Sequence, residues 1–294
     1  MTLIGATLCP PQFDPRACEA TAAIAISVSA RVQRECRLTS WINFPLLNAS
    51  GTATDFALTP PGVKPIPTPF AHELPYAMEI ISALSDEGLR IRHVRIAVLL
   101  ERDVLRPHVD EYPSTRLIVA LNEEGTDFRY VFDDICFTMR PGQVWQVRGE
   151  ICHGAANIGT RGKRVALLLD AALGATPWSD RRLSIPSEQL VPRPPWDTVA
   201  RTSFYRAAET LALSGRCADA ERIWLFAPFE YGLAAAAVYD EVLLFARHLA
   251  QESSHNRRYW RRRADYLLHP RLKCEVTPRE LYSPDDQSTH PALL

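Results

Sequence analysis

The pattern of apolar and polar positions changes near residue 90 of this chain. Before it, short apolar runs mix with turn signals. Glu19 to Gln33 has a helix-compatible composition, and Trp41-Ile-Asn-Phe-Pro-Leu-Leu47 reads as a strand stopped by Asn48-Ala-Ser-Gly51. Thr59 to Pro69 is a proline-rich loop, and His72 to Asp86 predicts a helix closed by Glu87-Gly88. From Arg90 the runs become short and rich in Val, Ile, Leu and aromatics. They cover Ile91 to Leu100, Thr115 to Leu121, Phe128 to Phe132, Gln143 to Val147 and Arg164 to Leu169. Gly, Pro, Asn and Asp separate them, and Met139-Arg-Pro-Gly142 is a turn signal between two of them. Such spacing predicts an all-β sandwich or barrel, not alternating βαβ units.

Thr176 to Trp196 carries five prolines and reads as a linker, or as an extended strap across the barrel. Asp197-Thr198 can cap a helix beginning near Val199, and helical spacing continues to about Leu268, punctuated by Gly215 and Pro228. The expected organisation is a β-rich domain over 1–176, a proline-rich linker over 177–196, a helical domain over 197–270 and a loose tail over 271–294.

Composition narrows the function classes. The 294 residues are 47% hydrophobic and 23% charged, with a formal net charge of -1, as in a soluble globular protein. A nucleic-acid binder would show a basic balance. The one basic run, Asn256-Arg-Arg-Tyr-Trp-Arg-Arg-Arg263, reads as a solvated or acid-paired surface. Seven scattered cysteines without a CxxC pair make a poor disulfide framework and a poor zinc site, and fit reduced thiols in a cytoplasm. The N-terminal segment lacks a basic start and meets prolines early, so it does not read as a signal peptide, and no apolar run is long enough to span a bilayer. Neither nucleic acid nor membrane is expected as a partner.

The chemistry concentrates at Arg106-Pro-His-Val-Asp110. On a strand, residues two apart share a face, so His108 and Asp110 would present an imidazole and a carboxylate side by side. His153 follows a predicted strand in Glu150-Ile-Cys-His-Gly154. Two histidines and a carboxylate form the facial triad of non-haem Fe(II) oxygenases, leaving open positions for a bidentate 2-oxo acid and O2. Arg164 opens an apolar strand eleven residues later, and a hairpin through Asn157–Gly162 would return that strand beside His153. Its planar fork suits the far carboxylate of 2-oxoglutarate. Arg116 could grip a second carboxylate, of the co-substrate or of the substrate. Arg95, Trp41, Asn48 and Tyr112 are candidates for the substrate side, with Trp145 better placed in the core. HxD alone is weak. The order HxD, β-rich stretch, histidine, then arginine entering an apolar strand is stronger. A metal-binding cupin without catalysis would have no need of the Arg164 clamp.

At these residues the chain resembles the bacterial L-proline hydroxylases, especially the proline 3-hydroxylase type. Trp41-Ile-Asn-Phe-Pro-Leu-Leu-Asn-Ala-Ser-Gly51, Leu74-Pro-Tyr-Ala-Met-Glu-Ile80, Pro107-His-Val-Asp110, Met139-Arg-Pro-Gly-Gln-Val-Trp145 and Leu211-Ala-Leu-Ser-Gly215 carry the resemblance in order. It implies a mainly β core, a double-stranded β-helix of jelly-roll, cupin-like form, with flanking helices and a C-terminal α-helical domain. It implies hydroxylation of a free amino acid coupled to decarboxylation of 2-oxoglutarate, with Fe(II) and O2 as cofactors and ascorbate as an auxiliary reductant. The ligands would be His108, Asp110 and His153. Arg164 and Arg116 would hold carboxylates. The expected partner is a small amino-acid substrate, with a homodimer left open. Val109 stands where the family commonly has Arg, and the connection from Asp110 to Arg116 is shorter. These departures lie toward the substrate. They keep pipecolic acid and an open-chain amino acid such as L-lysine beside proline.

Overall fold

Val165, Leu167, Leu169 and Ala171 alternate with Arg164, Ala166, Leu168 and Asp170 along one strand, and the two sets face different layers. The first set packs under two helices, and the second faces a second sheet. This division organises the whole molecule. The computed structural model describes residues 6–9, 11–36, 41–110, 114–122, 128–172, 185–252 and 256–267.

In chain order the elements are β1 (Ala6–Cys9), α1 (Pro15–Cys36), β2 (Trp41–Asn48), β3 (Ile66–Pro67), α2 (Pro75–Asp86), β4 (Ile91–Leu99), β5 (Asp103–His108), β6 (Ser114–Ala120), β7 (Phe128–Phe132), β8 (Ile135–Phe137), β9 (Val144–Val147), β10 (His153–Asn157) and β11 (Arg164–Ala172). Helices follow: α3 (Thr198–Leu213), α4 (Cys217–Leu225), α5 (Ala227–Glu230), α6 (Val238–Glu252) and α7 (Arg257–Leu267). The strands form two antiparallel sheets. One has the order β1-β9-β6-β11-β4-β2-β3, the other β5-β10-β7-β8. They face each other as in a jelly-roll core.

Four layers result. α1 and α2 cover the outer face of the large sheet through Val28, Leu74, Ile80, Val94, Ile96 and Leu167. Tyr130, Phe132, Phe137, Trp145 and Ala155 help fill the space between the sheets. On the outer face of the small sheet, Val131, Cys152 and Ala156 meet Phe229 and Ala235 of the helical region, which has its own core around Trp224, Phe245 and Trp260. Cys152 therefore points away from its neighbour His153, as alternation requires.

Two expectations are corrected. The segment Asn157–Gly162 is not a hairpin, because β10 and β11 belong to different sheets. It is a crossover, tied by Asn157 Nδ2 donating to the Gly162 carbonyl at 2.9 Å. Jelly-roll connections pass between sheets, so Arg164 faces the small sheet across the core rather than lying beside His153. His153 opens β10 instead of following a strand. Part of the proline-rich linker is a strap: Val191 N donates to Cys136 O and Thr138 N to Gln189 O, extending the small sheet beyond β8. The Asp197 cap is present, its carboxylate accepting from Val199 N and Ala200 N, and α3 begins at Thr198. The tail over 271–294 lies outside the described residues.

Candidate metal centre

His108, Asp110 and His153 offer three ligand atoms that all lie within 4.8 Å of one another. Among the described residues they form the one such cluster of His, Cys, Asp and Glu. Asp110 approaches His108 Nε2 at 3.7 Å and His153 Nε2 at 3.6 Å. The two rings are 4.4 Å apart. How the chain brings them together differs from simple strand alternation.

β5 ends at His108, so Asp110 lies beyond it. On the strand itself, His108 pairs with His153 and Leu105 with Ala155, so three steps on β5 match two on β10. This is a β-bulge at Arg106-Pro107. Val104 and Arg106 face the helical region and Leu105 faces the core. The extra residue reverses the alternation and turns His108 inward beside His153. Proline suits the place because it cannot donate to a ladder. Gly154 opposite leaves room, since a Cβ there would lie 2.9 Å from the Leu105 carbonyl oxygen.

Asp110 is placed from another side. Its N–H donates to Gly149 O at 2.8 Å. Gly149 has to be glycine, because a Cβ there would lie 2.6 Å from Asp110 Oδ2.

Each imidazole is held in one tautomer. Nδ1 of His108 lies 2.8 Å from Arg106 O, and Nδ1 of His153 lies 2.8 Å from Ile151 O. A carbonyl only accepts, so both Nδ1 atoms carry the proton and both Nε2 atoms keep a lone pair for a metal. Burial, then His108, pushes the His153 pKa down to about 3, and burial lowers that of His108. Burial works against the Asp110 charge, but Arg116, His153 and His108 hold its carboxyl below the usual range. The Phe132 ring stacks on His153 at 5.0 Å and an angle of 7°. Two neutral imidazoles and an ionised carboxylate converging on one point fit a divalent metal.

Arg116 does not face the cavity as an unengaged clamp. Its Nη1 donates to Asp110 Oδ1 and Oδ2, each at 2.6 Å, and its Nε to Asp170 Oδ1 at 2.9 Å. The register explains this departure from expectation: Arg116 lies directly opposite Asp170, so both carboxylates it holds belong to the protein. Asp170 also accepts from Arg95 Nη1 at 2.8 Å and approaches His93 Nδ1 at 3.4 Å. Burial works to raise its carboxyl, but Arg116 and Arg95 hold it well below the usual range. Arg95 is thus brought to the site through Asp170.

Arg164 stands at the other end of β11, six residues or roughly 20 Å from Asp170 on the same face. Between them on that face are Ala166, flanked by Ala97 and Ala120, and Leu168. The Arg164 guanidinium lies over the Tyr130 ring of the small sheet. The Tyr130 hydroxyl is buried and has no hydrogen-bond partner among the described residues. A buried donor beside a buried guanidinium fits the carboxylate of a dicarboxylic co-substrate whose other end reaches the triad.

Asn48 is engaged within its own turn. It is fully buried, and its amide holds the backbone of Ser50, Gly51, Thr52 and Asp55. Trp145 is a core residue. Tyr112 lies outside the described residues, and of Trp41 only the backbone pairing with Leu99 is described. Sequence reasoning missed Tyr130, Gly149 and Asp170. Of these Asp170 had a signal, a lone acid closing the apolar run from Arg164.

A family model described as aspartyl/asparaginyl beta-hydroxylase matches residues 17–172, more than half of the chain. No curated protein matches. Among solved structures, the chain is similar to an oxidoreductase of the 2OG-Fe(II) oxygenase family from Burkholderia pseudomallei. That pair shares 13% identity over 62% of this chain and 89% of the other, with a TM-score of 0.38. It is also similar to HygX from Streptomyces hygroscopicus with nickel and 2-oxoglutarate bound, at 13% identity, 59% and 85% coverage and a TM-score of 0.35. A Pseudomonas putida prolyl-4-hydroxylase gives 15%, 58% and 94%, and 0.33.

Proposed function

The chain belongs to the aspartyl/asparaginyl β-hydroxylase family and is a 2-oxoglutarate-dependent Fe(II) dioxygenase; from that premise we propose that it hydroxylates a free L-amino acid, proline or a close analogue such as pipecolic acid. His108, Asp110 and His153 are the metal ligands in this reading, and Arg164 with Tyr130 holds the far carboxylate of 2-oxoglutarate. When bound, iron(II) with 2-oxoglutarate and O2 supplies the oxidising power, and 2-oxoglutarate leaves as succinate and CO2. The protein supplies orientation, exclusion of water and fixed charge.

The observation that carries the substrate class is the sharing of Asp170 between Arg95 and Arg116. Asp110 gives its charge to the metal, so two guanidiniums are left with one carboxylate. A substrate carboxylate restores the balance, and Arg95 is the group to receive it because Arg116 also donates to both oxygens of Asp110, whereas the carboxylate beside Arg95 among the described residues is the shared Asp170. A residue within a peptide has no such carboxylate. The family description names β-carbon hydroxylation, and in proline the β-carbon is C3.

The test is anaerobic addition of Fe(II) and 2-oxoglutarate, watching for the weak visible charge-transfer band, followed by succinate release across a panel of free amino acids and their amides. Turnover of L-proline or L-pipecolic acid with silence from prolinamide is the expected result. Equal turnover of the amide would remove the carboxylate argument, and absence of both band and succinate would remove the reading as a whole.

A further inference from the structure

The bulge that turns His108 inward is braced from outside the β core. β5 is an edge strand of the small sheet, and the helical region lies against it. Arg222 on α4 donates to Arg102 O at 2.7 Å and to Asp103 Oδ1 at 2.6 Å, fixing the start of the strand. The Tyr239 hydroxyl at the start of α6 donates to Pro107 O. Arg106 reaches outward to Glu221 on α4, Nη1 to Oε1 3.6 Å. Glu221 also accepts from Arg263 Nε at 3.0 Å and from Tyr259 Oη at 3.3 Å, both on α7.

Both bulge residues are therefore gripped by helices, and both act on the ligand that follows them. Arg106 O accepts from His108 Nδ1, so its position sets the ring orientation. Pro107 carries the chain directly into His108. Tyr239 is 3% exposed, Glu221 1% and Arg263 3%. A buried ion pair loses much of its Coulomb gain to desolvation, so its worth lies in geometry as much as in stability. Outer partners that orient a ligating histidine tune metal affinity.

We propose that Tyr239 and Glu221 are positioning residues for the metal ligand His108, acting through the backbone bulge at Arg106-Pro107, so that the helical region sets the affinity of the metal centre. The inference rests on the ligand assignment above. Its test uses the full-length chain and Co(II) alone, without 2-oxoglutarate or substrate. Tyr239→Phe should stay folded, raise the Co(II) dissociation constant about tenfold and alter the cobalt visible bands, with a fall in melting temperature no larger than that of the helical-core variant below. Glu221→Gln should act in the same direction if it folds; if it does not, Tyr239→Phe decides. Phe245→Leu, in the helical core against Trp224 and Trp260, should lower the melting temperature and leave the Co(II) constant alone. Wild-type affinity and spectrum in folded Tyr239→Phe would overturn the proposal, as would an equal loss in Phe245→Leu. Wild-type protein that binds no Co(II) would instead overturn the ligand assignment, and this inference with it.

Discussion

The guanidinium carbon of Arg164 lies 3.9 Å from the centroid of the Tyr130 ring. The two residues come from different sheets, and the crossover after β10 brings them face to face. The ring supports the cation through its negative face, and the buried hydroxyl is left for a further partner.

Tyr130→Phe should therefore keep the fold and weaken 2-oxoglutarate. A hydrogen bond to a charged group is worth roughly 1.5–3 kcal/mol, which is about tenfold or more in affinity. Arg164→Lys should not restore binding where Arg164→Ala loses it, because an ammonium cannot offer a planar fork. Titration of the anaerobic charge-transfer band with 2-oxoglutarate reads both variants. An unchanged constant in Tyr130→Phe would take this residue out of the site.

Gly149→Ala should damage the metal centre without unfolding the protein. The added methyl group would meet Asp110 Oδ2 at 2.6 Å, while the bond from Asp110 N to Gly149 O prevents the two segments from parting. Asp110 must turn away from the histidines. Isothermal titration with Co(II) should show affinity reduced at least about tenfold, in line with the loss of ligand placement. His108→Ala, which removes a ligand outright, should abolish high-affinity binding, and a variant with full activity would refute that assignment.

Asp170→Asn leaves Arg95 and Arg116 buried against a neutral amide. Removing one partner of a buried pair costs about 3 kcal/mol or more. The urea midpoint at neutral pH measures it. A loss no larger than that of a surface substitution would mean that water, not Asp170, holds the two arginines.

Acid should destabilise the metal-free protein beginning below about pH 6.5. In the folded state burial holds His153 neutral down to about pH 3, whereas an unfolded imidazole protonates near 6.5. The unfolded chain thus binds the extra proton, so stability is fully present above 6.5 and declines as pH falls toward 3. Asp170 and Glu221 add to this at lower pH. Both carboxyls are held down in the fold, so their contribution is lost below the ordinary values of 3.8 and 4.5. Urea midpoints should be flat from about pH 8 to 7 and then fall. A midpoint that rises on acidification to pH 5 would contradict the buried neutral imidazole.

The sequence by itself determined the elements and the chemistry at their ends. The short apolar runs at Arg164–Leu169 and Phe128–Phe132, helical spacing after Asp197, and the order of His108, Asp110, His153 and Arg164 were all legible, because each depends on neighbours along the chain. Which groups meet across the core was decided by tertiary structure. Pairing between strands placed Asp170 opposite Arg116 and so engaged an arginine expected to hold a ligand. The separation into two sheets replaced the expected hairpin with a crossover and set Arg164 over Tyr130. The bulge at Arg106-Pro107 reversed the strand's alternation, and its braces come from Glu221 and Tyr239, more than a hundred residues further along. Registers and bulges record contacts between distant segments, and no local pattern carries them. HxD was read as two neighbours on a strand. In the folded chain His108 ends the strand and is turned inward by the bulge, while Asp110 lies beyond it, held by a glycine from another loop.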